Sequence, residues 1–284
     1  MESYSVTLGA NAEIWLAPLA ALLGLIVGSF LNVVIVRLPR MMQLAWEDAC
    51  AEVTGQPAPA RPRFNLAWPR SHCPACGHPL AWHELVPVFS WLALRGRCAH
   101  CAAAIPLRYP LVELATGALF AACAMRFGAT AATPAAIGLC AALLALAVID
   151  ARTMLLPDAI TQPLLWAGLL VNLAAGLFAP LPHAVAGAAA GYGALWLIAA
   201  GFHLFTGKEG MGQGDMKLLA ALGAWFGWQA LPAIVLLASA AGVAAGIAML
   251  LAGRTRRGQP LPFGPYLAAA GIAMLFWPGI ALYG

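Results

Sequence analysis

Lys208-Glu209-Gly210-Met211-Gly212-Gln213-Gly214-Asp215-Met216-Lys217 is a short polar stretch set between apolar runs. Its glycines at 210, 212 and 214 let the backbone turn tightly and take positive φ where needed. Asp215 then opens the run Leu218-Leu219-Ala220-Ala221-Leu222. One reading makes Asp215 a helix N-cap. The reading we favour is chemical, because a second carboxylate closes another apolar run, Ala147-Val148-Ile149-Asp150. An ionisable side chain at a membrane helix end, turned to protein and not to lipid, marks a functional site by default.

The composition around this stretch is 62% hydrophobic and 9% charged, with mean hydropathy +0.83. That excludes an ordinary soluble domain and reads as a protein crossing the lipid bilayer several times. The 284 residues accommodate several spans and one modest soluble insertion, at about 20 residues per span. The net charge of +4 is no nucleic-acid signal, and no nucleic-acid partner is expected. The N-terminus carries Glu2 and Glu13 but no Lys or Arg before the first apolar run. That run is too long for the core of a signal peptide, so it is expected to be an uncleaved anchor.

We expect an all-α polytopic membrane protein with about eight transmembrane helices. The spans run from about 14 to 36, 110 to 125, 132 to 150, 159 to 178, 184 to 205, 215 to 228, 230 to 251, and from 265 to about Tyr283. The sixth is short: its 14 residues rise about 21 Å, less than a hydrocarbon core of roughly 30 Å. Either it extends past Gln229, or the glycine loop lies below the membrane surface beside water or protein. With eight spans, every Lys and Arg except Arg126 falls on one side. The positive-inside rule makes that side cytoplasmic and puts both termini outside. The expected division is an anchor (1–36), a cytoplasmic segment (37–108) and a membrane core (109–284). Small residues four apart, as at Gly187/Gly191 and Gly242/Gly246, are read as helix-packing contacts.

The cytoplasmic segment holds eight Arg and the pairs Cys73-Pro74-Ala75-Cys76 and Cys98-Ala99-His100-Cys101, 21 residues apart. Two such knuckles present Cys73, Cys76, Cys98 and Cys101 as four thiolates to a zinc ion. Disulfides are disfavoured in a reducing cytosol, and a redox role would need one pair. Four Cys leave no open position, so the zinc is structural, and it supplies folding energy to a segment too small for a large core. His72, His78 and His100 are expected around the site, with Trp82, Phe89, Trp91 and Leu94 as packing. Cys123 and Cys140, in apolar runs, are read as packing residues.

Two carboxylates sharing one proton can hydrolyse a peptide bond. The ionised one draws a proton from water while the protonated one donates to the scissile carbonyl, and they titrate as a pair. Asp215 opens a helix and Asp150 closes one, so the helix dipoles assign the anion to Asp215 and the proton to Asp150. Asp158, after Pro157, is read as an N-cap. Glu113 is a cap partner or a substrate contact.

These residues together resemble the bacterial type IV prepilin peptidases, the prepilin leader peptidase/N-methyltransferases. The resemblance covers nearly the whole chain. It rests on Gly28-Ser29-Phe30-Leu31-Asn32-Val33-Val34-Ile35 with Arg37-Leu38-Pro39, both cysteine pairs, and Arg108-Tyr109-Pro110-Leu111-Val112-Glu113. It continues through Ile149-Asp150, Leu155-Leu156-Pro157-Asp158, and the stretch from Gly210 to Leu218. It implies that Asp150 and Asp215 are the catalytic pair of a membrane aspartic peptidase. The implied substrates are prepilins and type II secretion pseudopilins, each with a basic leader and an apolar helix. They would be cut at the cytoplasmic face of a bacterial inner membrane. It also implies N-methylation of the new terminus with S-adenosylmethionine, the 37–108 segment being the methyltransferase part. No motif marks the methyl-donor site; Gly96-Arg97 is either an anion-tolerant turn or structural. Glu84, Glu113 and Glu209 are candidates to attract the basic leader.

Two other classes compete. A proton-coupled transporter would use Asp150 and Asp215 as relay groups, but internal repeats and mid-span charges are expected there. A zinc-knuckle scaffold without catalysis is the third.

Overall fold

A computed structural model describes residues 2–57, 61–208, 211–253 and 261–277, with side chains from residue 14 onward. Glu209, Gly210, the arginines at 254, 256 and 257, and the end of the eighth expected span lie outside the described residues. Helices are the only long elements: α1 (Glu2–Val53), α2 (Phe89–Ala93), α3 (Arg108–Phe127), α4 (Ala132–Thr153), α5 (Asp158–Ala175), α6 (Leu181–Thr206), α7 (Gln213–Phe226), α8 (Leu231–Leu251) and α9 (Gly264–Phe276). Among the described residues there is no strand, only two isolated bridges. Five helices there are long and apolar enough to cross a membrane: α1 from Ile14, α3, α4, α6, and α8 with the short turn before it. Of the eight expected spans, the other three correspond to α5, α7 and α9, of 18, 14 and 13 residues.

The chain forms two compact units, Met1–Ala141 and Ala142–Gly284, with the boundary inside α4. In the first, α1 and α3 cross at glycines. A Cβ on Gly24 would lie 2.7 Å from the Gly117 Cα, and one on Gly28 would lie 2.7 Å from the Glu113 Cα. Backbones this close gain dispersion contact where the solvent gives no hydrophobic drive. Phe120 and Ala124 continue the seam against Ala20. The α1 helix does not stop at Pro39 but continues to Val53. Beyond it, Arg61 ties the following loop back to Glu47 at 2.8 Å.

In the second unit α7 is the central element. Its residues Met216 and Leu218 to Trp225 are all buried, and a helix apolar all round belongs inside a bundle. This accounts for its length. It does not extend past Gln229; it ends at Phe226, and Gly227 turns the chain at φ 79° into α8. Gly187 and Gly191 of α6 lie against Gly223 O and Leu219 O of α7, as the spacing of small residues predicts. Asn172, on α5, has all its capacity engaged. It donates to Ala224 O and Trp225 O at 2.9 and 3.0 Å and accepts from the N–H groups of Phe178 and Ala179. It thereby satisfies the exposed carbonyls at the end of α7 and the chain entering α6.

Candidate active site and cysteine centre

Asp150 lies in the last turn of α4. The helix closes just beyond it, where the Met154 N–H donates to Asp150 O at 2.9 Å and Met154 takes φ 53°. Leu155 and Leu156 follow, and Pro157 leads into α5. Asp215 is the third residue of α7, whose N-cap is Gly212, so it does not serve as the cap. The two carboxylates, 65 positions apart in sequence, are near enough to interact electrostatically. Asp150 is 4% exposed. Its Oδ2 accepts a hydrogen bond from the Gly264 N–H at 2.9 Å. The Asp215 Oδ1 is buried and has no protein hydrogen-bond partner.

Leu156 gathers these pieces. A Cβ on Gly214 would meet the Leu156 Cβ at 2.7 Å, and one on Gly264 would meet its Cδ2 at 3.1 Å. Gly214, beside Asp215, is therefore there for close approach; a Cβ on Gly212 would meet nothing within 4 Å. Gly212 has φ −74° and Gly214 lies within α7, so neither uses the left-handed region.

Asp158 does not cap α5. It is the first helical residue, the cap position being Pro157, and both its oxygens accept from Lys217 Nζ at 2.7 Å. This pair joins α5 to α7 and takes Lys217 away from Asp215, two residues before it.

Glu113 is neither exposed nor a helix cap. It is buried, accepts from the Val88 N–H at 2.8 Å, and is hydrogen-bonded by the Ser29 side chain. Asn32 donates to Tyr109 O at 3.1 Å. The Gly28–Asn32 and Arg108–Glu113 motifs are thus two halves of one lock between α1 and α3. Glu84 is also engaged locally, accepting from the Ala81 N–H at 2.7 Å. Glu113 is thus engaged inside the fold, Glu84 is half-buried with one oxygen on its own turn, and Glu209 lies outside the described residues.

The two cysteine pairs fold alike. The Cys73 N–H donates to His78 O and the Gly77 N–H to Cys73 O, both at 2.9 Å. The Cys98 N–H donates to Ala103 O and the Ala102 N–H to Cys98 O, again at 2.9 Å. Gly77 and Ala102 occupy matching left-handed positions, φ 72° and 56°. The N–H groups of Cys76 and Ala75 aim at the Cys73 sulfur and lower its pKa to about 6, which favours the thiolate a metal needs. The four Sγ atoms lie within 4.8 Å of one another, and Cys73 and Cys101 are 3.8 Å apart. A tetrahedron with metal–sulfur bonds of about 2.3 Å has sulfurs about 3.8 Å apart, so the donor set fits a metal ion. His78 and His100 stack on each other at 4.5 Å. Trp91 packs on Gly96, where a Cβ would meet its ring at 2.7 Å, and donates to Ile105 O. That contact and φ 67° account for Gly96 structurally. Trp82 and Phe89, expected as packing, are exposed.

Sequence reasoning gave Gly264 no role, although it stands in Pro262-Phe263-Gly264-Pro265 before the last span. A glycine between prolines beside a membrane segment was the available signal.

Comparison with known proteins matches two family models in succession along the chain. Residues 22–127 match the Bacterial Peptidase A24 N-terminal domain, and residues 137–247 match the Type IV leader peptidase family. A Burkholderia pseudomallei (strain 1026b) prepilin leader peptidase/N-methyltransferase is 58% identical over 263 residues, 91% of this chain and 84% of that protein. Proteins of the same name from Stutzerimonas stutzeri and Pseudomonas aeruginosa PAO1 are 52% and 51% identical, covering 89% and 88% of their lengths and 91% and 90% of this chain. No solved structure matches. None of these relatives supports the transporter alternative. With both halves of the chain matched in order and relatives 51 to 58% identical over nine-tenths of its length, this protein belongs to the type IV leader peptidase family.

Proposed function

We infer that this chain is a membrane endopeptidase that removes the leader of prepilins and N-methylates the terminus it creates, with Asp150 and Asp215 as the catalytic pair. The observation that carries the assignment is the approach of two acids from separate helices, Asp150 buried and Asp215 with a buried Oδ1 that no described protein group satisfies.

The pair shares one proton. The ionised carboxylate takes a proton from water as the water oxygen bonds to the scissile carbonyl carbon. The protonated carboxyl donates to the carbonyl oxygen. Collapse of the tetrahedral intermediate breaks the C–N bond and delivers a proton to the leaving amine, giving a leader carboxylate and a new pilin N-terminus. Like charges this close disfavour double ionisation, which keeps one proton on the pair.

The four cysteines hold a structural zinc, and S-adenosylmethionine supplies the methyl group. The charge pattern supports an inner-membrane protein with Asp150 and Asp215 toward the cytoplasm and both termini outside. A substrate with a basic leader and an apolar helix suits this placement, its helix in the bilayer and its cleavage junction at the cytoplasmic surface. The scheme divides the chain into an anchor (1–36), a cytoplasmic zinc and methyltransferase segment (37–108) and a peptidase core (109–284).

The test is cleavage of a membrane-inserted prepilin by wild type, D150A, D215A and D158A. Loss in the first two variants and retention in D158A are expected. Retention in D150A or D215A would remove that residue from the pair.

A further inference from the structure

We propose that the Gly264 N–H is a positioning element of the pair: it fixes Asp150 and makes it the charged member, so that Asp215 carries the shared proton. This rests on the reading of Asp150 and Asp215 as catalytic, and it reverses the assignment that helix ends alone suggest.

Three observations carry it. First, the Gly264 N–H reaches Asp150 Oδ2 at 2.9 Å across 114 positions of sequence. It is a donor of the first turn of α9 and has no intrahelical acceptor to satisfy. Pro265 follows it and has no N–H, so Gly264 is the donor at this helix end. Second, glycine is required by the carboxylate itself. A Cβ at 264 would stand 2.7 Å from Asp150 Oδ2, while no left-handed φ demands glycine there. Third, the two acids are treated unequally. Asp150 has this charge-accepting bond, whereas the buried Asp215 Oδ1 has no protein donor.

A direct N–H bond acts on one oxygen in a desolvated place, and a hydrogen bond to the charged form favours that form. A helix end acts as a diffuse half-charge that fades within a turn. The end of α9 also points its positive pole at Asp150, which offsets the negative pole of α4. The charged groups near the pair do not change the balance. Lys217 is held by Asp158 at 2.7 Å, Arg152 is exposed, and α8 and α9 carry no charged residue. Asp150 is then the base that takes the proton from water, and the Asp215 hydroxyl is the donor to the scissile carbonyl.

Two measurements on the intact enzyme test this. In the first, G264A is compared with G271A, whose new Cβ also intrudes in α9 but meets Leu222 at 2.5 Å, away from the acids. Loss of kcat on the order of 100-fold with KM within about twofold is expected for G264A only. Equal losses in both variants, or a G264A defect confined to KM, would overturn the positioning role. The second uses no substrate: the infrared C=O stretch of a protonated buried carboxyl. Read as difference spectra against wild type, in which the buried Glu113 cancels, the band is expected to be lost in D215N and kept in D150N. A band that survives in D215N would overturn the charge assignment. A wild type that cleaves no prepilin, while the band behaves as stated, would instead overturn the catalytic reading.

Discussion

The aspartate pair and the cysteine cluster are both small constellations, yet they are built in opposite ways. Each cysteine knuckle closes on itself within seven residues, through bonds such as the Cys73 N–H to His78 O. Its geometry is local, and a metal ion held by the four thiolates would join two copies of one turn. The aspartates have no such local frame. Asp150 and Asp215 meet because α4, α7 and α9 converge on Leu156, and because Gly214 and Gly264 leave room for it. A local site survives wherever its turns form. A convergent site needs the whole packed unit, and tolerates no extra methyl group at its contacts.

The sharpest break in this comparison is removal of a carboxylate. D150A or D215A should lower prepilin cleavage by about 10⁴-fold, while metal content and methyl transfer to a pre-cleaved pilin persist. The mirror experiment is C73S or C98S. Metal analysis should show less bound metal than in wild type, and limited proteolysis should cut within residues 61–107, because metal affinity and folding of such a segment are one free energy. Cleavage by the same variants should fall far less than in D150A.

Smaller effects sharpen the contrast. G214A presses a Cβ onto Leu156, and a displacement approaching 1 Å at Asp215 should cost about 10- to 100-fold in kcat with unchanged zinc content. A102G should act in the other direction. Ala102 holds the left-handed conformation that Gly77 holds in the first knuckle, so glycine should stabilise the segment by about 1 kcal/mol, seen as slower zinc loss to a chelator. K217A frees Asp158 on an exposed rim, and thermal unfolding should register less than about 1 kcal/mol.

Much was legible from residues 1 to 284 alone. Apolar runs announced the helices because each span must satisfy its own backbone inside lipid. The cysteine spacing announced four ligands because knuckles are local. The two acids stood out because charge is rare in such a composition. Several roles were not legible. Asp158 reads as a cap beside Pro157, yet its partner Lys217 lies 59 positions away. Glu113 reads as a cap partner or a substrate contact, and the structure shows it accepting from the Val88 N–H and bonded to the Ser29 side chain.

What the sequence by itself determined is therefore the class of molecule: a helical membrane protein with a four-thiolate segment and two acids at helix ends. Those properties follow from composition, period and short-range spacing. Only the tertiary structure decided that α7 is a buried helix at the centre of its unit, that Gly214 and Gly264 serve Leu156 and Asp150, and that Asp150 Oδ2 has a backbone donor while the buried Asp215 Oδ1 has none among the described residues. The glycine contacts join residues 58 to 114 positions apart. No local pattern encodes them, because which helix faces meet is fixed by the packing of all the helices together.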